Sequence, residues 1–212
     1  MLASPPPFVV LGGATGSGKT YLLKQLDQLG QQVLDLEGLS NHRGSAYGAL
    51  GMQRQPSNEQ FENNIAEKLR KIPPSQYVWI ENESRLIGAN IVPDAIYMSL
   101  KESPLVEIVL NIEERIKIIL KDYAVFPKED LIKSTEKIQK RLGGLRTKEA
   151  INAILEDRYK DWLKIVLEYY DKTYAYGLGE RKGITVARLE EESFELNALC
   201  EKLIALKNNL LR

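Results

Sequence analysis

Residues 8–28 read FVVLGGATGSGKTYLLKQLDQ. Four apolar residues run without alternation into a glycine-rich stretch, and Leu22, Leu23 and Leu26 then recur at helical spacing, so the segment reads as buried strand, tight loop and helix. Within it, Gly13-Ala14-Thr15-Gly16-Ser17-Gly18-Lys19-Thr20 matches G-x-x-x-x-G-K-[ST] at every fixed position. The pattern carries its own mechanism. Backbone N–H groups of the loop wrap phosphate oxygens, the helix N-terminus adds partial positive charge, Lys19 brings a mobile cation and the Thr20 hydroxyl holds Mg2+. Motif and context together disfavour a glycine-rich turn that binds nothing, so Gly13, Gly16, Ser17, Gly18, Lys19 and Thr20 are the candidate phosphate-binding residues.

Four further apolar runs, 32–36, 77–80, 105–112 and 183–187, are rich in Val and Ile and separated by helical patterns. Runs that do not alternate with polar residues suit strands covered on both faces. The expected fold is therefore α/β, a P-loop NTPase-like parallel sheet flanked by helices. Residues 113–182 have almost no strand character; they hold EERIKIILKDY, KEDLIKSTEKIQKRL and TKEAINAILEDRYKDWLKIVLEYYDKTY, interrupted by Phe126-Pro127 and Gly143-Gly144. The expectation is a core of 1–112 and 183–212 with a helical insert, 113–182, before the last strand. One more amphipathic helix is expected from Ser193 onward.

The composition, 212 residues and 43% hydrophobic, suits one main domain. Lys+Arg and Asp+Glu both number 29, so any attraction to nucleic acid must be local. From 115 to 148, ten Lys and Arg face four acids. Lys137, Lys140, Arg141, Arg146 and Lys148 are the candidate contacts to a nucleic-acid backbone, against the plainer reading of a solvated helix face, which a charge run by itself favours. Tyr159, Trp162, Tyr169, Tyr170, Tyr174 and Tyr176 could stack on bases, although the spacing of Trp162, Tyr169 and Tyr170 reads as core. The single cysteine, Cys200, shares an apolar face with Leu196, Leu199, Leu203 and Leu210 and is expected to be an inert core thiol. No stretch has the length of a membrane span, and the apolar start lacks a basic flank, so a soluble cytoplasmic chain with no membrane contact is expected.

Carboxylates gather where strands end. YVWIENESR (77–85) finishes with Glu81 and Glu83, and Asp35 and Glu37 follow the second run, at the sheet edge where ligands of open α/β sheets bind. Thr20, Asp35 and Glu81 are the candidate Mg2+ ligands, with a helix cap or solvated loop as the alternative for each acid. Residues 35–48, DLEGLSNHRGSAYG, contain the only histidine in a stretch that reads as neither helix nor strand. His42, Arg43 and Ser45 there are candidates to bind a second anion or polarise a leaving group.

Together with GGATGSGKT, the segments DLEGLSNHRGSAYG, QPSNEQFENN, ENESRLIGANIVP, RLGGLRTKEAI and LEYYDKTY resemble the P-loop domain of tRNA 2-selenouridine synthase over most of the chain. HRGS and ESRLIG together are not features of phosphate loops in general. The resemblance implies replacement of the sulfur of wobble 2-thiouridine in tRNA by selenium from selenophosphate, through an S-geranylated intermediate made from geranyl diphosphate. It implies that the loop residues and Mg2+ hold the diphosphate, that His42, Arg43 and Ser45 contact the second substrate or the same diphosphate, and that Glu81, Glu83, Ser84 and Arg85 complete the metal and anion site. The resemblance implies an N-terminal rhodanese domain with a catalytic cysteine; this chain starts near the phosphate-loop strand, so either a separately encoded rhodanese-domain partner or a longer protein of which this is a piece is expected. Two positions depart from the family pattern, Asn82 standing for Asp and Tyr47 for Phe. Two other readings stay open: a small-molecule kinase or ATPase with ATP in the loop and Asp35 or Glu81 orienting the acceptor, and a non-catalytic interaction subunit.

Overall fold

In the computed structural model, which describes residues 5–181 and 183–210, the chain runs β1 (Phe8–Gly13), α1 (Lys19–Gln28), β2 (Val33–Leu34), α2 (Leu36–Ser40), α3 (Asn58–Arg70) and β3 (Val78–Glu81). A hairpin, β4 (Leu86–Ile87) and β5 (Asn90–Ile91), leads to α4 (Asp94–Glu102) and β6 (Leu105–Leu110). Then come α5 (Ile112–Tyr123), α6 (Lys128–Lys137), α7 (Gln139–Leu142), α8 (Gly144–Leu155), α9 (Tyr159–Gly179), β7 (Thr185–Glu191) and α10 (Leu196–Leu210).

Five strands form one parallel sheet in the order β2-β3-β1-β6-β7. Every residue of β1 is buried, because both faces of the central strand are covered. Phe8 and Val10 pack with Phe61, Ile65 and Leu69 of α3 and Ile96 and Leu100 of α4. Val9 and Leu11 meet Leu22, Leu23 and Leu26 of α1 and Leu199, Cys200 and Leu203 of α10. Cys200 is fully buried, and burial pushes its thiol up to about 11. Among the described residues no helix is long and apolar enough to cross a membrane.

The strand boundaries moved wherever a polar cap competed with the sheet. The run 32–36 pairs only at 33–34, since Asp35 caps α2 by accepting from Gly38 N at 2.7 Å. The run 105–112 stops at Leu110 because Asn111 caps α5 through Glu114 N. The last strand lies at 185–191 rather than 183–187. Two helices expected as single pieces are split: 128–142 breaks at Ile138, and 147–174 breaks at 156–158, where Asp157 takes φ 58°.

Helices α5 to α9 enclose a third apolar cluster around Ile116, Leu131, Ala153, Trp162 and Val166. Tyr47, from the histidine-bearing loop, belongs to that cluster. Thr135 gives its hydroxyl hydrogen to Leu131 O at 2.8 Å, so in the 2.7 Å contact with Thr135 the Tyr47 hydroxyl is the donor, and it accepts from Trp162 Nε1 at 3.2 Å. Tyr47→Phe strands the buried Trp162 N–H and is expected to cost about 1–3 kcal/mol, read as a lower midpoint in urea unfolding with an unchanged slope.

Candidate active site

The phosphate loop forms as its spacing requires. β1 delivers Gly13 at the carboxyl end of the sheet, and Gly18 sits at the N-cap of α1 with φ 78°. Lys19 Nζ reaches back to Gly13 O at 2.6 Å, and the Ser17 hydroxyl is buried with no partner among the described residues. Loss of solvent holds the Lys19 ammonium below the usual lysine range, offset in part by Glu37, Glu83 and Glu81.

Three carboxyls converge beside it. Thr20 Oγ1 donates to Glu37 Oε2 at 3.2 Å, Glu37 N donates to Glu81 Oε1 at 2.8 Å, and the Glu37 and Glu83 side chains are hydrogen-bonded. Glu81 is 2% exposed, and its Oε2 has no partner among the described residues. Burial and then Glu83 push Glu37 up to about 8; burial followed by Asp35, Glu37 and Glu83 holds Glu81 well above the usual carboxylate range; burial raises Glu83 against the pull of Lys19. Glu37 and Glu81 reach this cluster from different elements, α2 and β3. Asp35 contributes charge but spends its carboxylate on the α2 cap.

The first residues of the loop 35–48 turn out to be α2, ended by Asn41 in the left-handed region. The remainder folds over the carboxyls: a Cβ on Gly44 would lie 2.9 Å from Glu83 Oε2 and 3.2 Å from Glu37 Oε1. His42 Nδ1 accepts from Gly44 N at 3.2 Å, which commits the neutral ring to the Nε2–H tautomer. Burial, then the nearby Lys137, keep its pKa below the usual histidine value. The ring is wedged between Gly48 and Gly88, a Cβ at either coming within 2.8 Å of it. Arg43 stacks on Tyr123 with Cζ 5.2 Å from the ring centroid, and its Nη1 is buried without a partner among the described residues. Ser45 Oγ accepts from Tyr47 N at 3.2 Å. Gln55 ties the loop to the β4–β5 hairpin, donating to Ser40 O, Ile87 O and Asn90 Oδ1 and accepting from Ala89 N.

The model of the tRNA 2-selenouridine synthase AAA domain matches residues 6–202. The chain belongs to the tRNA 2-selenouridine synthase AAA-domain family. It is 38% identical over 213 residues to a tRNA 2-selenouridine synthase of Pseudomonas fluorescens, covering 86% of this chain and 56% of the relative. A tRNA 2-selenouridine synthase of Marinobacter nauticus is 34% identical, with coverage of 85% and 56%. The chain thus spans about half the length of the curated relatives it matches. Among solved structures, a shikimate kinase of Acinetobacter baumannii in complex with shikimate aligns over 95% of this chain and 92% of its own, at 15% identity and a TM-score of 0.45.

In this member of the tRNA 2-selenouridine synthase family, the structure brings together Lys19, Thr20, Glu37, Glu81 and Glu83 and lays His42, Arg43 and Ser45 above them. It does not bring in Arg85. That side chain is exposed on the hairpin and paired with Asp94 at the start of α4, while Ser84 Oγ donates to Leu86 O. Lys137, Lys140, Arg141, Arg146 and Lys148 lie on α6, α7 and α8 around the Gly143-Gly144 turn; Arg141 donates to Tyr169 Oη and Arg146 pairs with Glu168. Trp162 is core. Two residues carry more of the site than the sequence indicated: Glu37, the carboxyl on Thr20, and Arg115, whose Nε donates to Thr15 O at 2.8 Å. Arg115 follows the Asn111 cap after the strand next to the phosphate-loop strand, and only that position hinted at a role.

The oxygen donors fit a hard divalent cation shared with a polyphosphate. Among the described residues no group of three or more His, Cys, Asp or Glu is arranged to hold a metal unaided. Mg2+ characteristically takes one or two protein oxygens and completes its shell with phosphate and water. Thr20 and Glu37 are placed so that they would supply that pair, with Glu81 Oε2, unpartnered among the described residues, behind them.

The raised Glu37 pKa has a consequence for stability. Its folded value exceeds the ordinary 4.5, so the native chain binds the extra proton between these values, and stability falls as pH rises through about 8. The unfolding temperature of the ligand-free chain is expected to fall from pH 6 to pH 9, and Glu37→Gln to flatten that fall. Parallel melts across this range check it.

Proposed function

We propose that this chain is the part of a tRNA 2-selenouridine synthase that activates an allylic diphosphate, geranyl diphosphate, toward the sulfur of wobble 2-thiouridine in tRNA. The observation that carries the reading is the phosphate loop set directly against the Glu37, Glu81 and Glu83 carboxyls beneath the HRGS loop. A phosphoryl donor needs the same loop, but family membership favours a leaving-group role for it.

In this scheme the sulfur attacks the allylic carbon, a C–S bond forms, and the C–O bond to diphosphate breaks with its electron pair going to the leaving oxygen. Amides of residues 13–18 and the Lys19 ammonium stabilise the charge that develops there. Thr20 and Glu37 would hold Mg2+, which would supply further neutralisation of negative charge on the leaving diphosphate. The thiouridine ring gives up its N3 proton as the S-alkyl product forms, and a carboxylate of the Glu81 and Glu83 pair is the acceptor. Arg43, with an unused buried Nη1, faces the second anionic group, while His42 holds the loop and hairpin in register. Selenation of the S-geranyl intermediate from selenophosphate follows, and a rhodanese-domain protein is the proposed partner for it.

Nucleoside mass spectrometry on 2-thiouridine-containing tRNA, incubated with the chain, Mg2+ and geranyl diphosphate, tests the alkyl transfer. A geranyl mass is expected with the native chain; ADP formation dependent on a small acceptor instead would sink the reading.

The tRNA backbone is proposed to cross α6, α7 and α8. Lys137, Lys140 and Lys148 form no ion pair among the described residues, so each is available to a phosphate. Replacing all three with Ala is expected to lower the salt dependence of tRNA binding, the slope of log K against log salt, by about 2–3, measured by filter binding from low to moderate salt.

A further inference from the structure

Arg115 is 6% exposed and joins three parts of the molecule. Its Nε donates to Thr15 O at 2.8 Å, Nη1 to Asp171 Oδ2 at 3.0 Å and Nη2 to Asp171 Oδ1 at 2.6 Å. The two parallel bonds to Asp171 on α9 fix the plane of the guanidinium, and that plane decides where Nε–H points. What it meets is the carbonyl of the Thr15–Gly16 peptide, in the middle of the phosphate loop. In a trans peptide the C=O and N–H point in opposite directions. Anchoring Thr15 O on Arg115 therefore turns the Gly16 N–H away from α5, and that N–H finds no acceptor among the described residues. The loop is held from the same side by packing, since a Cβ on Gly16 would lie 2.6 Å from Ile119 Cδ1 and 3.0 Å from Arg115 O.

We propose that Arg115, oriented by Asp171, is a positioning residue of the phosphate loop: it pins the Thr15–Gly16 peptide so that the Gly16 N–H is presented to a bound diphosphate. The proposal rests on the reading that this loop binds a diphosphate. It gives α9 a second task besides closing the helical core, because the same helix also holds the HRGS loop through Tyr170 Oη, which accepts from Ala46 N at 3.1 Å. A plain structural ion pair between α5 and α9 would stabilise the fold and leave the loop amides indifferent to its loss.

Calorimetry with inorganic pyrophosphate and Mg2+, together with the 1H–15N resonance of Gly16, distinguishes the two. In the native chain pyrophosphate is expected to bind and to move the Gly16 amide. Arg115→Lys keeps the charge but loses the fork, and Asp171→Asn keeps the arginine but loses its orientation; each is expected to weaken pyrophosphate by about tenfold and to reduce the Gly16 response, with the sheet amides unchanged. Native affinity in both variants, or weakened affinity with a native Gly16 response, overturns the role of Arg115 while the phosphate-loop reading stands. A native chain that does not bind pyrophosphate overturns both.

Discussion

Lys19→Ala is expected to abolish detectable geranyl transfer and to weaken pyrophosphate binding by a factor on the order of 10²–10³, the cost of removing a preorganised group that meets developing negative charge. The side chain stands over the loop with its ammonium against Gly13 O and three carboxyls within electrostatic reach. No other described cation occupies that position: Arg115 is engaged by Thr15 and Asp171, and Arg43 is stacked on Tyr123. Binding measured by calorimetry and alkylation measured by mass spectrometry are expected to fall together, since in the proposed reaction the ammonium meets the same diphosphate in both. Lys19→Arg does not rescue, because the guanidinium is larger than the ammonium and the loop closes around it. An Ala variant that retained transfer would place the diphosphate elsewhere.

Gly18→Ala is expected to have the second large effect, on the fold as well as the site. The residue takes φ 78° at the N-cap of α1, a conformation that costs an L-residue about 1–2 kcal/mol. Space is also absent: a Cβ would lie 2.2 Å from Phe194 Cε2, whose ring stacks near Tyr21 at a centroid distance of 6.2 Å. Forcing that ring aside adds about 1–3 kcal/mol of overpacking. A total near 3 kcal/mol corresponds to an unfolding temperature lower by roughly 6–12 °C for a chain of this size. Pyrophosphate binding is expected to be lost as well, because displacing the N-cap misplaces the first amides of α1. Phe194→Ala in the same chain is expected to recover part of the stability, the steric share, and none of the dihedral share.

The buried Tyr47 shows how a loop reading and a core reading can both be true of one segment. Its sequence neighbourhood is all glycine, serine and alanine, which argues for a loop, and residues 42–45 are one. Yet its ring is sealed between Trp162 and Tyr123, and its hydroxyl closes a donor chain with Trp162 and Thr135, contacts that lie 115 and 88 positions away. The hydroxyl that Tyr47 carries beyond its ring is thus held by two hydrogen bonds. The loop is a strap: one half lies over the carboxyls, the other is clamped in the helical core.

The phosphate loop could be read from the chain because its pattern is local. Eight consecutive residues supply the amides, the cation and the hydroxyl, and the strand and helix that flank them are announced by their own hydrophobic periods. The parallel sheet was legible for the same reason, its strands being short, apolar and unalternating. Tertiary structure alone decided which carboxyl stands on Thr20. Asp35 and Glu37 are two residues apart and both carry a carboxyl, and the choice fell to Glu37 because the Asp35 side chain accepts from Gly38 N at the start of α2. It alone decided that Arg85 turns to Asp94 and that Arg115 turns to Thr15, 100 positions earlier in the chain. An arginine's reach is set by its partners in space, and no period or spacing in the sequence encodes a partner contributed by a different layer of the fold.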